Sequence, residues 1–513
     1  MVCSMRARCS VLGGLGVRFA ATTAVALCSC AHLLGCTRHH EAGPPHSGST
    51  AVAAPRVPVG AVQSVANPRL TPPAAPRPGR PLRHQFCVSS KFAQGEPEVD
   101  LALLTQLGVH WVRDTVAWHV MEPQPQRFIE FPPDFERRLE FYRAHDIGVV
   151  FMLAYDNHVA YSRTASKPAA AFEPAAYGRW AVEVARRLRQ SGVRFVLELW
   201  NEPHNMVLRP VLGGSWNGAP PSPWVQHYVR MVHEAVRQVK QFDPSIRLLD
   251  DDDMWVVHYW FLEAGLPKTL DGFAFHPYVQ GIPERAAVDQ RTPWMHPFIA
   301  TDPDGSFKSA VRRLRARGSE KLARAPEMWI TEWGWPVGDP GGKEVAFPEA
   351  TVAAWLPRAF VLAEAAGVES LCWFSTQDNV DGPMGLTDNE GRKRKAYYAY
   401  EALNANLGDY TLLRQLVGAE HETTDTQVYL FHHRRRAKLV AWSIEPASSW
   451  LELGGVLDAA QVSDINGQAV SPTRGARGGH WVRLDAAPVY VAFDLPSRPI
   501  ELNIVEADGR APP

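Results

Sequence analysis

Two short runs carry the chemistry of this chain. In Phe195-Val-Leu-Glu-Leu-Trp-Asn-Glu-Pro203 an apolar stretch ends in Asn201 and Glu202, and in Met328-Trp-Ile-Thr-Glu-Trp-Gly-Trp-Pro336 a second one ends in Glu332. Such runs read as strands covered on both faces, as in a parallel sheet, and the prolines stop the pairing soon after each carboxylate. Sheets with helical crossovers bind ligands at the C-terminal ends of their strands. Both glutamates therefore fall where a substrate would lie. A pair of carboxyl groups at one opening can cleave a glycosidic bond: one protonates the leaving oxygen, the other attacks the anomeric carbon or activates water. The alternative is two unrelated surface carboxylates.

The elements that must position this pair are legible in the periodicity. Strands are expected near His84–Ser89, Trp111–Asp114, Gly148–Leu153, Arg194–Trp200, Ile246–Asp250, Asp271–Phe275, Met328–Glu332 and Ser370–Phe374. Helical patterns are clearest at Tyr177–Gln190, Val225–Gln241, Phe307–Arg317, Ala350–Ala366 and Lys395–Asn406. Eight strand–helix units predict an α/β fold, a (β/α)8 TIM barrel over residues 84–408, with Glu202 ending the fourth strand and Glu332 the seventh. A doubly wound open sheet competes, but no Gly-rich phosphate turn follows the first strand. Beyond Leu407 helical periodicity gives way to alternating strands such as Gln427–Phe431, Lys438–Ser443, Trp481–Leu484 and Val489–Phe493. These predict a small antiparallel β-sandwich over residues 409–503, with 504–513 as a frayed tail. The basic run His432–Arg436 reads as a solvated hairpin turn.

Asn-Glu-Pro after the fourth strand and Thr-Glu-Trp-Gly after the seventh resemble the retaining glycoside hydrolases of clan A, the four-seven barrels. Family 39 and family 5 type enzymes are closest in pattern, and the sandwich is similar to that of the family 39 branch. The resemblance implies that Glu202 is the acid/base, Glu332 the nucleophile and Asn201 the partner of the sugar 2-hydroxyl. It implies that Arg113, in Trp111-Val-Arg-Asp114, holds the nucleophile ionised, with a plain salt bridge as the alternative. His276 and Tyr278, in Phe275-His-Pro-Tyr278, would contact nucleophile and sugar, or else merely cap a loop. Trp373, in Cys372-Trp-Phe374, would floor the subsite of the attacked sugar, and Trp335 and Trp118 complete the aromatic substrate contacts. The implied activity is retaining hydrolysis of β-type O-glycosidic bonds in a poly- or oligosaccharide by double displacement. A transglycosylase would share every one of these residues, and a catalytically silent carbohydrate-binding surface lipoprotein would share the aromatic cleft.

Composition narrows the class further. A chain of 513 residues with a formal net charge of -1 carries no basic stripe for nucleic acid, and its 17 tryptophans exceed what a core needs while suiting sugar faces. Arg6, Arg8 and Arg18 precede an apolar stretch that ends in Leu33-Leu34-Gly35-Cys36. Residues 1–36 thus read as an export signal with a lipobox-like end, Cys36 as a lipidation site, and the cell envelope or the secreted fraction as the destination. Residues 37–83, rich in Pro and Ala, read as an extended linker that tethers the enzyme to a membrane. Only Cys87 and Cys372 of the seven cysteines lie in the folded part. On neighbouring strands they could bridge, but a bridge is not expected. No Cys or His spacing suits zinc, no cofactor is called for, and the enzyme is expected to act as a monomer. The run Asp250–Asp253 reads as a solvated acidic loop, with a cation or sugar contact as the alternative.

Overall fold

The computed structural model describes residues 64–66, 69–70, 79–96, 101–253, 255–286, 305–338, 345–418, 425–444, 448–454, 460–476, 478–495, 500–507 and 512. Residues 1–36, read as an export signal, and with them Cys36, lie outside the described residues.

Two-residue alternation builds the centre of the molecule. Parallel strands β1 (Phe86–Ser89), β2 (Trp111–Asp114), β3 (Gly148–Leu153), β4 (Phe195–Leu199), β5 (Leu248–Asp252), β6 (Gly272–Phe275), β7 (Glu327–Trp333) and β8 (Ser370–Phe374) close into a barrel in which β8 pairs with β1. Each strand gives one residue to a buried interior layer of Cys87, Trp111, Val150, Val196, Leu249, Ala274, Trp329 and Cys372. Intervening residues such as Val112, Phe151, Leu197, Phe273 and Met328 bury on the other side, beneath the helices. Two residues beyond the apolar layer, the same parity brings Arg113, Glu198, Asp251, His276, Thr331 and Phe374 inward at the C-terminal mouth.

Eight helices cover the barrel: α1 (Leu101–Gln106), α2 (Pro133–Ala144), α3 (Pro174–Ser191), α4 (Pro223–Phe242), α5 (Trp255–Glu263), α6 (Phe307–Lys321), α7 (Glu349–Ala365) and α8 (Lys395–Leu407). In α3 the boundaries follow from local chemistry. Pro174 presets the first turn, the Glu173 carboxylate accepts the amides of Ala175 and Ala176, and Gly192 closes the helix at φ 74°. Tyr177, Trp180, Ala181, Val184 and Leu188, at helical spacing, form its buried stripe.

Cys87 and Cys372 are disulfide-bonded, contrary to expectation. They are register partners on β1 and β8, with Cα atoms 4.0 Å apart, so barrel closure itself brings the thiols together.

The C-terminal domain packs two antiparallel sheets. One contains Thr411–Val417, Thr426–His433, Arg436–Ser443, Val489–Asp494 and Gln461–Ser463; the other contains Ser449–Leu453, His480–Leu484 and Thr473–Arg474. Its core includes Val428, Leu430, Leu439, Leu451, Val482 and Val491. Three expectations are corrected here. Ile504–Glu506, expected in a frayed tail, pairs with Ser449–Leu453 inside the second sheet. Ser64–Ala66 and Arg69–Leu70, expected in a free linker, pair with Ile504–Glu506 and Ile500–Glu501. His432 and His433 belong to a strand, so only Arg434 and Arg435 turn the hairpin. A buried ion pair ties the domains: Arg358 of α7 binds Glu284, which accepts from the Trp442 indole, while Arg358 also reaches the Ala486 carbonyl.

Candidate active site

The fourth and seventh strands deliver their glutamates by different local devices. After β4 the backbone turns through left-handed conformations at Trp200 (φ 84°) and Glu202 (φ 45°), each costing about 1–3 kcal/mol where no glycine relieves it. Hydrogen bonds hold this turn: the Glu202 amide donates to Asp251 Oδ2 at 2.7 Å, and the Asn205 and Met206 amides donate to the Glu202 carbonyl. On β7 the register with β8 slips. Ile330 pairs with Leu371 and Trp333 with Trp373, so Thr331 and Glu332 together face Cys372. This bulge turns both side chains toward the interior, which simple alternation forbids.

The two glutamates meet across His276. Its Nδ1 lies 2.9 Å from Glu202 Oε1 and 3.9 Å from Glu332 Oε2, and ligand-type oxygens of the two glutamates come within 4.8 Å of each other. Their surroundings push in opposite directions. Burial raises the Glu202 pKa, and the nearby Asp253 carboxylate adds to that rise, against the lowering influence of His276. Burial also opposes ionisation of Glu332. There, however, the charges of His276, Arg113 and Lys91 and the Tyr278 hydroxyl prevail and lower the pKa. The site thus contains one carboxyl biased neutral and one biased ionised.

Arg113 is the hub of the inward layer. Its guanidinium grips Glu198 with Nε and Nη2 at 2.7 and 2.9 Å, donates to Asn201 Oδ1 at 2.7 Å, and pairs with Glu332. The fork geometry fits this bidentate task. Asn201 passes the order on, donating to the Tyr155 hydroxyl at 2.9 Å. Glu198 also accepts from Thr331 at 2.9 Å, and burial of its carboxyl is outweighed by Arg113 and His276, which depress its pKa to about 2. On the far side of His276, Nε2 lies 3.0 Å from Thr331 Oγ1 and 3.3 Å from Asp251 Oδ1. Burial disfavours a charge on this ring, yet Asp251, Glu332 and the other carboxylates raise its pKa well above normal. Tyr278 donates its hydroxyl to Glu332 Oε2 at 3.0 Å.

No protein-family model and no curated protein matches the sequence. Solved structures do match. A family 39 glycoside hydrolase from the gut symbiont Bacteroides cellulosilyticus WH2 superposes with a TM-score of 0.62 at 17% identity, over 81% of this chain and 82% of that one. A GH39 enzyme from Xanthomonas axonopodis pv. citri superposes with a TM-score of 0.50 at 14% identity, over 81% of this chain and 95% of that one. The chain shares the fold of the family 39 glycoside hydrolases. At these identities the likeness extends to the fold, and the chemistry rests on the residues above.

Glu202, Glu332, Asn201, Arg113, His276 and Tyr278 converge at the mouth. The three tryptophans expected to touch sugar are buried. Trp373 is fully buried on the outward parity of β8, against Trp335 at 5.9 Å between ring centroids. Trp335 is itself buried, donating to the Gly281 carbonyl, and Trp118 stacks on Trp180 while donating to Glu122. Phe374, one residue on, has the inward parity. Its ring meets Tyr278 edge-on and Lys91 Nζ at 4.4 Å, which places it beside the nucleophile's partners.

The acidic loop reading is also corrected. Asp250, Asp251 and Asp252 are strand residues of β5 and fully buried, held respectively by His258, by the Glu202 amide with His276, and by His204. Among the described residues, three sets of ligand-type atoms lie within 4.8 Å of one another and are where a cation would fit: Glu198/Asp251/His276, Glu202/His276/Glu332 and His204/Asp252/Asp253. Each set includes a histidine whose pKa its carboxylates raise against burial.

Sequence reading passed over Glu198, Thr331, Lys91 and Asp381, and took Asp251 and Asp253 only as parts of an acidic loop. For Glu198 a signal existed: a charge inside an apolar strand, two residues past Val196, on the parity of Arg113.

Proposed function

We propose that this protein is a retaining glycoside hydrolase that cleaves β-type O-glycosidic bonds, with Glu332 as nucleophile and Glu202 as acid/base. The observation that carries the reading is the oppositely tuned pair itself: carboxyl oxygens within 4.8 Å, one group biased neutral and one ionised. Retaining enzymes place their carboxyl groups about 5–5.5 Å apart, whereas inverting enzymes leave about 6.5–9.5 Å for a water. Glu332, kept ionised by His276, Arg113 and Lys91 with the Tyr278 hydroxyl, attacks the anomeric carbon as Glu202 protonates the departing oxygen. The bond to the leaving group breaks, and a glycosyl ester forms on Glu332 with inverted configuration. Glu202, now ionised, takes a proton from water as that water attacks the anomeric carbon, the bond to the Glu332 oxygen breaks to free the carboxylate, and the second inversion restores the configuration. Asn201, oriented by Arg113, faces the 2-hydroxyl.

The test is proton NMR of the first product from an aryl β-glycoside. Retained configuration is expected, and an inverted first product refutes the mechanism. Glu332→Gln should abolish turnover. Glu202→Gln should lose about 10²–10⁴-fold, with the least loss on glycosides whose leaving group needs no proton.

Export belongs to the same proposal. The basic and apolar N-terminus ending at Cys36 supports it, as does the Cys87–Cys372 bridge, a bond typical of oxidising compartments. Palmitate labelling that Cys36→Ser leaves unchanged would refute lipidation.

A further inference from the structure

An ion pair closes the mouth of the barrel opposite the proton donor. Lys91, in the loop after β1, donates from Nζ to Asp381 Oδ2 at 3.1 Å, and Asp381 lies in the loop after β8. Both side chains are mostly buried, at 14% and 11% exposure, yet they lie at a functional opening rather than in a core. A contiguous wall leads from them to the nucleophile: Lys91 over the Phe374 ring, Phe374 against Tyr278, and Tyr278 on Glu332. Asp381 feels the charges of both Glu332 and Glu202. The Asn379 side chain fixes its loop by accepting the Asp381 amide and donating to Ser375.

The topology decides what this pair would meet. β4 and β8 lie diametrically opposite in an eight-stranded barrel closed between β8 and β1. Glu202, after β4, must stand beside the leaving group, because it protonates the leaving oxygen. The attacked sugar therefore lies across Phe374 with its far hydroxyls toward the β8 and β1 loops. A chain continuing beyond that sugar would have to pass through Lys91 and Asp381. Among the described residues the ammonium makes one side-chain hydrogen bond and the carboxylate accepts one from a side chain. Donor and acceptor capacity is left over at adjacent points, which suits neighbouring hydroxyl groups.

We propose that Lys91 and Asp381 bind the free hydroxyls of a non-reducing terminal sugar and restrict this enzyme to cutting from chain ends. The proposal rests on the glycosidase reading and adds the mode of attack to it. The full-length protein is assayed on β-linked oligosaccharides labelled at the reducing end, alongside the same oligosaccharides O-methylated at the non-reducing terminal 4- and 3-hydroxyls. Release of single sugars from the free end is expected, with the blocked chains slower by about 100-fold or more. Lys91→Met and Asp381→Ala should each lose about 10–100-fold in kcat/KM on free-ended substrate, the range for a hydrogen bond to a charged group. Internal cutting of blocked chains at the unblocked rate by the wild type overturns chain-end action while leaving the glycosidase reading intact. A wild type that cleaves no member of the panel overturns both. The blocked-substrate comparison needs no variant, so a folding defect in either one cannot decide it.

Discussion

Removing the Tyr278 hydroxyl tests the tuning of the nucleophile most directly. In Tyr278→Phe the ring keeps its place against Phe374, while Glu332 Oε2 loses the donor now 3.0 Å away and Oε1 keeps Arg113. A hydrogen bond to an ionised group contributes about 1.5–3 kcal/mol. Tyr278 is 39% exposed, so water can take the vacated place, and the lower end, about 1.5 kcal/mol, is the better estimate. That converts to roughly a tenfold loss in kcat/KM, with a rise in the Glu332 pKa. The sign is fixed by the role. Glu332 must be ionised to attack, so raising its pKa moves the acid limb of kcat/KM to higher pH. Because the hydroxyl stabilises the ionised form, the thermal stability gap between wild type and variant should shrink as pH falls and Glu332 protonates. The assay is kcat/KM against pH on an aryl glycoside, with thermal unfolding measured at each pH. An unmoved acid limb in a folded variant refutes the assignment of Tyr278 to the ionised nucleophile.

Further predictions follow from the same geometry. Asp253→Asn removes a negative charge that raises the Glu202 pKa, so the alkaline limb of kcat/KM should move to lower pH; an unmoved limb removes Asp253 from the tuning of the acid. Glu198 has a folded pKa of about 2, so its contribution to stability is present above the unfolded value of about 4.3 and is lost as pH falls toward 2. Glu198→Gln should flatten the acid decline in melting temperature over that window, and an unchanged decline counts against its charge. Reducing the Cys87–Cys372 bond, which spans 285 residues of chain, should cost about 2–5 kcal/mol, read by denaturant unfolding with and without reductant. Phe374→Ala should raise KM for aryl glycosides, whereas Trp373→Phe should lower the melting temperature and leave KM unchanged; the reverse pattern would restore Trp373 as the floor.

The sequence by itself determined the barrel and the rank of its two glutamates. Apolar runs and helical stripes are local patterns, and each encodes its own element. Asn-Glu-Pro and Thr-Glu-Trp-Gly mark strand ends because proline and a sudden charge stop the pairing. What tertiary structure decided was which face each neighbour presents. Trp373 and Phe374 both belong to an aromatic strand end, and only the closed barrel shows that Phe374 turns inward while Trp373 packs outward on Trp335. The bulge on β7, which turns Thr331 and Glu332 the same way, is a property of its pairing with β8 and leaves no periodic trace. The run Asp250–Asp253 reads as solvent-facing until its partners His258, His276 and His204 arrive from three other segments. The Cys87–Cys372 bond exists because β1 and β8, remote in the chain, are neighbours once the barrel closes. Charges can be buried only where distant residues complete them, and such completion is a fact of the fold rather than of any local stretch of sequence.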